Sequence, residues 1–77
     1  MKHAAGVKAF GEHLKRIRAD KGISQQELAD RANIAKQTVY RIENAQFAVT
    51  LDVLLALSEG LEMPLRDLMD FPILPTP

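Results

Sequence analysis

The sequence predicts an all-α domain built from five short helices. Hydrophobic residues make up 47% of the 77 residues and recur at helical spacing. Residues that begin or end helices separate these segments, and no run alternates apolar with polar residues as a half-buried strand would. The length allows one small domain. Because cysteine is absent, disulfides and thiolate metal sites are excluded, and helix packing or a partner subunit must stabilise the fold.

The first helix is predicted from one apolar stripe. Phe10, Leu14 and Ile17 lie at positions i, i+4 and i+7, which places them on one helical face. Gly22 follows the stripe, and glycine commonly ends a helix because it accepts a left-handed backbone. Residues 1–7 precede the stripe and are predicted to form an N-terminal arm.

The second helix is predicted to begin after Ser24 and to be about eight residues long. Ser24 and Glu27 fit the capping box, in which each side chain bonds the backbone N–H of the other residue. Leu28 and Ala32 supply a narrow apolar face. Asn33 comes next, and asparagine tolerates the left-handed backbone that a tight turn requires.

The third helix is predicted over about residues 36–44. Val39 and Ile42 are its inward positions. Its N-cap is Ala35, which stabilises the helix by about 1 kcal/mol less than serine or threonine would. Residues 45–49 show no clear period and are predicted to form a loop.

The fourth and fifth helices are predicted from their terminal residues. Thr50 caps a fourth helix over residues 51–59, and Gly60 closes it. Proline is favoured at the first helical position, so a fifth helix is predicted over about residues 64–69. Residues 71–77 form an apolar tail in which three prolines prevent a helix.

The charges are separated along the chain, although the formal net charge is zero. Residues 1–41 contain nine basic and four acidic residues, a net of +5, and residues 42–77 contain one basic and six acidic residues, a net of −5. Such a chain can present a basic surface to a polyanion and keep an acidic surface away from it. Many small proteins show such separation by chance, so this observation alone is weak.

Two short helices joined by a short turn suggest a helix-turn-helix. Here the residues resemble the Xre-type helix-turn-helix of phage repressors and Cro proteins. The resemblance rests on Ser24-Gln25-Gln26-Glu27-Leu28-Ala29, Ile34, Val39, Ile42-Glu43-Asn44, on Arg18, Gly22 and Ile23 before them, and on Leu51, Leu54, Leu57, Leu61, Leu65 and Leu68 after them. It covers about residues 8–70, with the motif at about residues 24–44, and implies a lambda-repressor-like fold.

The resemblance implies roles for individual side chains on double-stranded DNA. The second helix is expected to lie across the DNA backbone and the third to enter the major groove. The positions that match base contacts are Lys36, Gln37, Thr38 and Arg41, and those that match phosphate contacts are Ser24, Gln25, Tyr40 and Asn44. Lysine and arginine donate to guanine, and glutamine pairs with adenine. The alternative is that these side chains are an ordinary solvated helix face.

Two further implications concern structure. Arg18 and Glu43 match positions that form an ion pair between the first and third helices. The family usually has glycine after Glu-Asn, whereas this chain has Ala45. The expectation is that Asn44 takes the left-handed conformation instead, or that the helix continues slightly. The family also implies that Leu51, Leu54, Leu57 and Leu61 point inward.

Apolar residues beyond these core positions suggest a partner subunit. The predicted dimer interface comprises Val53, Leu55, Ala56, Phe71, Ile73 and Leu74. A two-fold homodimer would place two recognition helices about 34 Å apart, facing a palindromic site. Residues 46–48 carry no cation, so a monomer would make few phosphate contacts and would depend on dimerisation. The alternative is that the tail folds back over its own core.

The predicted function is that of a sequence-specific transcriptional regulator, a homodimeric repressor that acts in the cytoplasm. The rival hypothesis is an antitoxin-like or adaptor module whose main partner is another protein, such as a toxin. An enzyme is not expected, because no glycine-rich phosphate loop is present and His3 and His13 have no cysteine to complete a metal site. No cofactor, no metal and no membrane-spanning segment are predicted.

Overall fold

Five helices follow one another in the computed structural model, which describes residues 3–73. They are α1 (Ala4–Asp20), α2 (Gln25–Ala32), α3 (Lys36–Glu43), α4 (Leu51–Gly60) and α5 (Leu65–Leu68). Within residues 3–73 there is no strand, so the predicted all-α class and the five predicted helices are confirmed. No helix in this range is both long enough and apolar enough to cross a membrane.

The first helix begins earlier than its apolar stripe indicates. Residues 1–7 are predicted to be an arm, but α1 starts at Ala4. The side chain of His3 accepts a hydrogen bond from the Gly6 backbone N–H at 2.9 Å and so caps the helix. A histidine N-cap is not among the usual capping residues, so the sequence pattern did not indicate this start. At the other end Gly22 adopts φ +68°, as expected of a glycine that ends a helix.

The ends of α2 and α3 follow the predicted capping residues. Ser24 Oγ accepts from the Glu27 backbone N–H at 3.0 Å. The Glu27 carboxylate instead lies 3.4 Å from Arg31 Nη2, so it does not turn back to complete the capping box. Asn33 ends α2 with φ 57°, and Ala35 begins α3 without a side-chain cap.

The core lies where the apolar faces of the helices meet. Its seven largest fully buried side chains are Leu14, Leu28, Val39, Ile42, Leu57, Leu61 and Leu68. Helix α2 contacts both α3 and α4, while α1 packs on α3 and α5 closes against α4. Because these residues come from all five helices, the helix-turn-helix is held on one continuous apolar cluster.

Gly60 has a different role from the one that its sequence position suggests. It is the last residue of α4, and the left-handed residue that follows is Glu62, with φ 54°. A Cβ on Gly60 would lie 2.9 Å from the backbone nitrogen of Ala32. Gly60 is therefore required because α4 approaches α2 closely, and not because the chain needs a left-handed turn there.

The outer face of α4 differs from the prediction. Leu51 is expected to point inward, but it is 62% exposed, and Leu55, one turn later, is 42% exposed. Leu57 is fully buried, so the side of α4 that carries it faces the core, while Leu51 and Leu55 face outward. Val53 and Ala56, predicted for a dimer interface, are partly buried against the chain's own core.

The segment after α5 folds back onto α1. The Phe71 ring lies 5.6 Å from the ring of Phe10 and 5.3 Å from that of His13, measured between centroids. Phe71 is therefore half-buried within its own chain, which is the alternative to its predicted place in a dimer interface. Ile73 is exposed, and Leu74, also predicted for that interface, lies outside the described residues.

Candidate nucleic-acid interface

Helix α3 has one apolar face and one polar face. Val39, Ile42 and Glu43 are buried against the rest of the domain. Four side chains of the opposite face are exposed, namely Lys36, Gln37, Tyr40 and Arg41, and Thr38 is half-buried at the boundary. The burial of residues 39 and 42, three positions apart, fixes which side of this short helix faces outward.

The exposed face of α3 carries side chains that can donate and accept hydrogen bonds. An α-helix with its side chains is about 10–12 Å in diameter, and the major groove of B-DNA, about 12 Å wide, admits one. Within residues 3–73, no side-chain hydrogen bond or ion pair occupies the polar groups of Lys36, Gln37 or Arg41. These donors are therefore available to an external partner.

An ion pair joins α1 to α3 beside this face. Arg18 Nε lies 2.8 Å from Glu43 Oε2, and Arg18 Nη2 lies 3.0 Å from Glu43 Oε1. The Glu43 side chain is fully buried and that of Arg18 is 16% exposed. The hydrogen bond to Glu43 raises the pKa of the Arg18 guanidinium above its ordinary value. Arg18 Nη1 also donates to the backbone oxygen of Ile23 at 3.0 Å, so the pair fixes the turn before α2.

The start of α2 belongs to the same network. Gln25, the first residue of α2, donates from Nε2 to Glu43 Oε1 at 3.0 Å and is half-buried. Ser24 is exposed, and its oxygen already accepts from the Glu27 N–H as the cap of α2. Both predicted phosphate-contacting residues thus lie at one helix N-terminus, where backbone N–H groups and the helix dipole favour an anion.

The end of α3 places the other two predicted phosphate-contacting residues. Asn44 is exposed, and its Nδ2 donates to the backbone oxygen of Tyr40 at 2.8 Å. Tyr40 itself is 48% exposed. Asn44 has φ −104°, and the left-handed residue is Ala45, with φ 57°. The expectation that Asn44 would take this conformation, or that the helix would continue, is therefore wrong.

Ala45 adopts the left-handed conformation because two backbone hydrogen bonds close the C-terminal end of α3. Ala45 N donates to Ile42 O at 3.2 Å, and Gln46 N donates to Arg41 O at 2.8 Å. This pattern is the Schellman motif, which satisfies two of the last carbonyls of a helix and demands a left-handed residue at the position of Ala45. The hydrogen bonds outweigh the preference of alanine for right-handed backbone.

Comparison with known proteins identifies the family. A family model described as helix-turn-helix matches residues 14–68, which include the α2–α3 unit and the ion pair that supports it. The chain belongs to the Xre-type helix-turn-helix family. Proteins of this family are DNA-binding regulators of transcription.

Solved structures share the fold of this helix-turn-helix domain. The restriction-modification controller protein C.AhdI from Aeromonas hydrophila is 32% identical, with a TM-score of 0.78 over 80% of this chain and 94% of that one. The clp gene regulator ClgR from Corynebacterium glutamicum is 25% identical, with a TM-score of 0.76 over 83% of each chain.

A curated relative matches in sequence. It is a protein of Methanocaldococcus jannaschii that bears the name of an HTH-type transcriptional regulatory protein, and it is 36% identical over 59 residues. This match covers 77% of the present chain but 19% of the relative. The helix-turn-helix domain thus corresponds to about a fifth of that longer protein.

One contact of this helix-turn-helix was not predicted from the sequence. The hydrogen bond from Gln25 to Glu43 joins residues 18 positions apart, for which the sequence predicts separate roles. Glu43 is predicted to form the ion pair with Arg18, and Gln25 is predicted to contact a phosphate. Local periodicity carries no information on such a contact, because it depends on how α2 crosses α3.

Proposed function

We propose that the chain is a sequence-specific transcriptional regulator that binds double-stranded DNA with α3 in the major groove. The observation that supports this proposal is the exposed polar face of α3, which carries Lys36, Gln37 and Arg41 with no partner among the described residues. Membership of a DNA-binding family supports the same function. The basic balance of residues 1–41, +5 in net charge, favours the approach of this half of the chain to DNA.

The proposed contacts divide into base contacts and backbone contacts. Lys36, Gln37, Thr38 and Arg41 would read base edges in the major groove. The residues proposed to contact phosphates are Ser24, Gln25, Tyr40 and Asn44. Base contacts select the sequence, and phosphate contacts fix the position of the helix on the duplex.

The proposed assembly is a homodimer that represses transcription by occupying a palindromic operator. The exposed leucines of α4, Leu51 and Leu55, support it, since two large aliphatic side chains on one helix face gain stability when a second copy covers them. A two-fold arrangement is the commonest for such a contact. It would present two copies of α3 about one helical turn of DNA apart. The proposed site of action is the cytoplasm.

The DNA-binding proposal is tested by selecting bound sequences from a random duplex pool and then measuring affinity by fluorescence anisotropy. Lys36→Ala and Arg41→Ala should each weaken binding to the selected site by about 5- to 150-fold, since each removes a base contact. Arg66→Ala on α5 is the matched control, because it removes the same charge from a side chain that is 86% exposed and remote in sequence from the motif. Unchanged affinity in both α3 variants would contradict the proposal.

The exposed leucines of α4 also support the alternative of a different protein as the main partner. Asp52 and Glu59 are exposed on the same helix, so a partner of opposite charge would suit this face. A chain that remains monomeric when purified alone, and that recovers a stable complex with a neighbouring gene product, would favour the antitoxin-like or adaptor function. A stable homodimer that binds the selected duplex favours the repressor.

A further inference from the structure

Glu43 accepts more hydrogen bonds than its ion pair requires. Both of its carboxylate oxygens are already bonded to Arg18, at 2.8 Å and 3.0 Å. Oε1 accepts a further hydrogen bond from Gln25 Nε2 at 3.0 Å. The bidentate contact with Arg18 is sufficient to neutralise the buried carboxylate. The additional bond therefore acts mainly on Gln25.

The chemistry of the carboxylate fixes the orientation of the Gln25 amide. An ionised carboxylate has only acceptors, so the nitrogen of the amide, and not its oxygen, must face Glu43. Nε2 carries two hydrogens, and the bond to Glu43 uses one of them. The second hydrogen remains for an external acceptor, and Gln25 is only half-buried, at the N-terminus of α2.

We infer that Glu43 is a positioning residue for DNA binding, which holds the Gln25 amide so that its second N–H donates to a backbone phosphate. Glu43 is the last residue of α3, and Arg18 fixes it from α1. The backbone contact at α2 and the base contacts at α3 are thereby held in one rigid relation. This inference rests on the proposed function, because it concerns how Gln25 meets the same DNA.

The first test measures the affinity for the selected duplex with Gln25→Ala introduced into the wild type and into the Arg18→Met/Glu43→Leu variant, which removes the carboxylate without stranding a charge. Positioning predicts that Gln25→Ala weakens binding about five- to tenfold in the wild-type background and less than about twofold in the Arg18→Met/Glu43→Leu background. If Glu43 only stabilises the fold, Gln25→Ala costs the same factor in both backgrounds. That result would overturn the inference.

A salt titration separates this inference from the proposed function. Gln25 is neutral, so Gln25→Ala should lower the affinity without changing the slope of log affinity against log salt. A wild-type chain that selects no duplex contradicts the proposed function itself. A chain that binds its site but loses the same factor from Gln25→Ala in both backgrounds contradicts the positioning role alone.

A second measurement needs no substitution, in case the Arg18→Met/Glu43→Leu variant does not fold. In the wild-type protein without DNA, NMR should show that one Nε2 proton of Gln25 exchanges with water more slowly than the other. Gln46 provides the control, since it is exposed and no side-chain bond holds it among the described residues. Addition of the selected duplex should then slow the second Gln25 proton. Equal exchange of both Gln25 protons, at the rate of Gln46, would overturn the inference.

Discussion

Ala45 occupies a left-handed conformation directly after the C-cap of α3, and its φ of 57° is one that residues with a Cβ rarely adopt. The conformation costs about 1–2 kcal/mol for such a residue. It persists because the backbone bonds of Ala45 and Gln46 close the end of α3. The position at which α3 ends is thus fixed by hydrogen bonding at a local cost in stability.

We therefore expect Ala45→Gly to stabilise the domain by about 0.5–1 kcal/mol, because glycine relieves the strain and loses only part of that gain in chain entropy. Urea unfolding followed by circular dichroism would measure this change. Ala48→Gly is the control, since Ala48 lies in the same loop and has no positive φ. Ala48→Gly should give no gain, and an equal gain at both positions would contradict the explanation.

Arg18 is a residue at which a single substitution should have a large effect on stability. Arg18→Met removes the charged partner of a fully buried carboxylate and should destabilise the domain by about 3–5 kcal/mol. Adding Glu43→Leu should recover much of this loss, because it removes the stranded charge. Denaturant unfolding of the wild type, Arg18→Met, Glu43→Leu and the double variant would measure these changes in stability. Additive losses in the double variant would show that the pair is not coupled.

The raised pKa of Arg18 sets the alkaline limit of the pH range in which this pair acts. A group whose pKa is higher in the folded protein contributes its stability below its ordinary pKa and loses it as pH rises through the folded value. For arginine this range is strongly alkaline. We expect the difference in unfolding free energy between wild type and Arg18→Met to stay constant from about pH 7 to about pH 10. A decline of this difference within that range would contradict the assignment.

At the scale of the elements, two glycines set how closely the helices cross. A Cβ on Gly11 of α1 would lie 2.4 Å from the Ile42 backbone oxygen of α3, and a Cβ on Gly60 of α4 would lie 2.9 Å from the Ala32 backbone nitrogen of α2. Backbone atoms cannot move aside as a side chain can. The first crossing therefore holds α3 close to α1, and the second holds α2 close to α4.

Gly60→Ala should destabilise the domain by about 1–3 kcal/mol, although alanine is intrinsically the better helix former by about 1 kcal/mol. Gly6→Ala is the comparison, because the nearest atom to its added Cβ belongs to the exposed His3 side chain, which can rotate away and lose only its hydrogen bond from the Gly6 N–H. Thermal unfolding of both variants would show the contrast. If Gly60→Ala were as stable as Gly6→Ala, α4 would not approach α2 as closely as the structure shows.

At the scale of the whole molecule, the exposed apolar surface and the separated charges determine how the chain associates. Helices α1 to α3 carry most of the cations, while α4, α5 and the loops beside them carry acidic residues. A dimer formed through α4 would leave the exposed face of α3 available to DNA, since the two surfaces belong to different helices. Such a dimer would bury the apolar side chains of α4 that the core leaves exposed, Leu51 and Leu55.

We expect Leu51→Gln combined with Leu55→Gln to shift the chain from dimer to monomer in sedimentation velocity, because both side chains lose apolar surface that a second copy would cover. Met69→Gln is the matched control, since Met69 is 42% exposed, as Leu55 is, but lies outside α4. The double variant should remain folded as a monomer, with a helical circular dichroism spectrum like that of the wild type. A dimer that survives it would place the interface elsewhere.

The sequence by itself predicted the helices and the fold class, because caps, turns and apolar spacing act over a few residues. Ser24, Asn33 and Thr50 perform the capping and turning expected of them. The exposed face of α3 also follows from spacing, once Val39 and Ile42 are assigned to the core. The start of α1 was not predicted, because His3 is an unusual cap.

Only the tertiary structure decided which side of α4 faces outward, where Phe71 packs, why Gly60 is glycine and how Glu43 holds Gln25. Each of these depends on two segments that are distant along the chain and are brought together by helix crossing. Helical periodicity assigns a residue to a face, but it does not state which element covers that face or how closely. Those contacts follow from the simultaneous fit of five helices around one core, because side-chain volume and buried polar groups must be satisfied together.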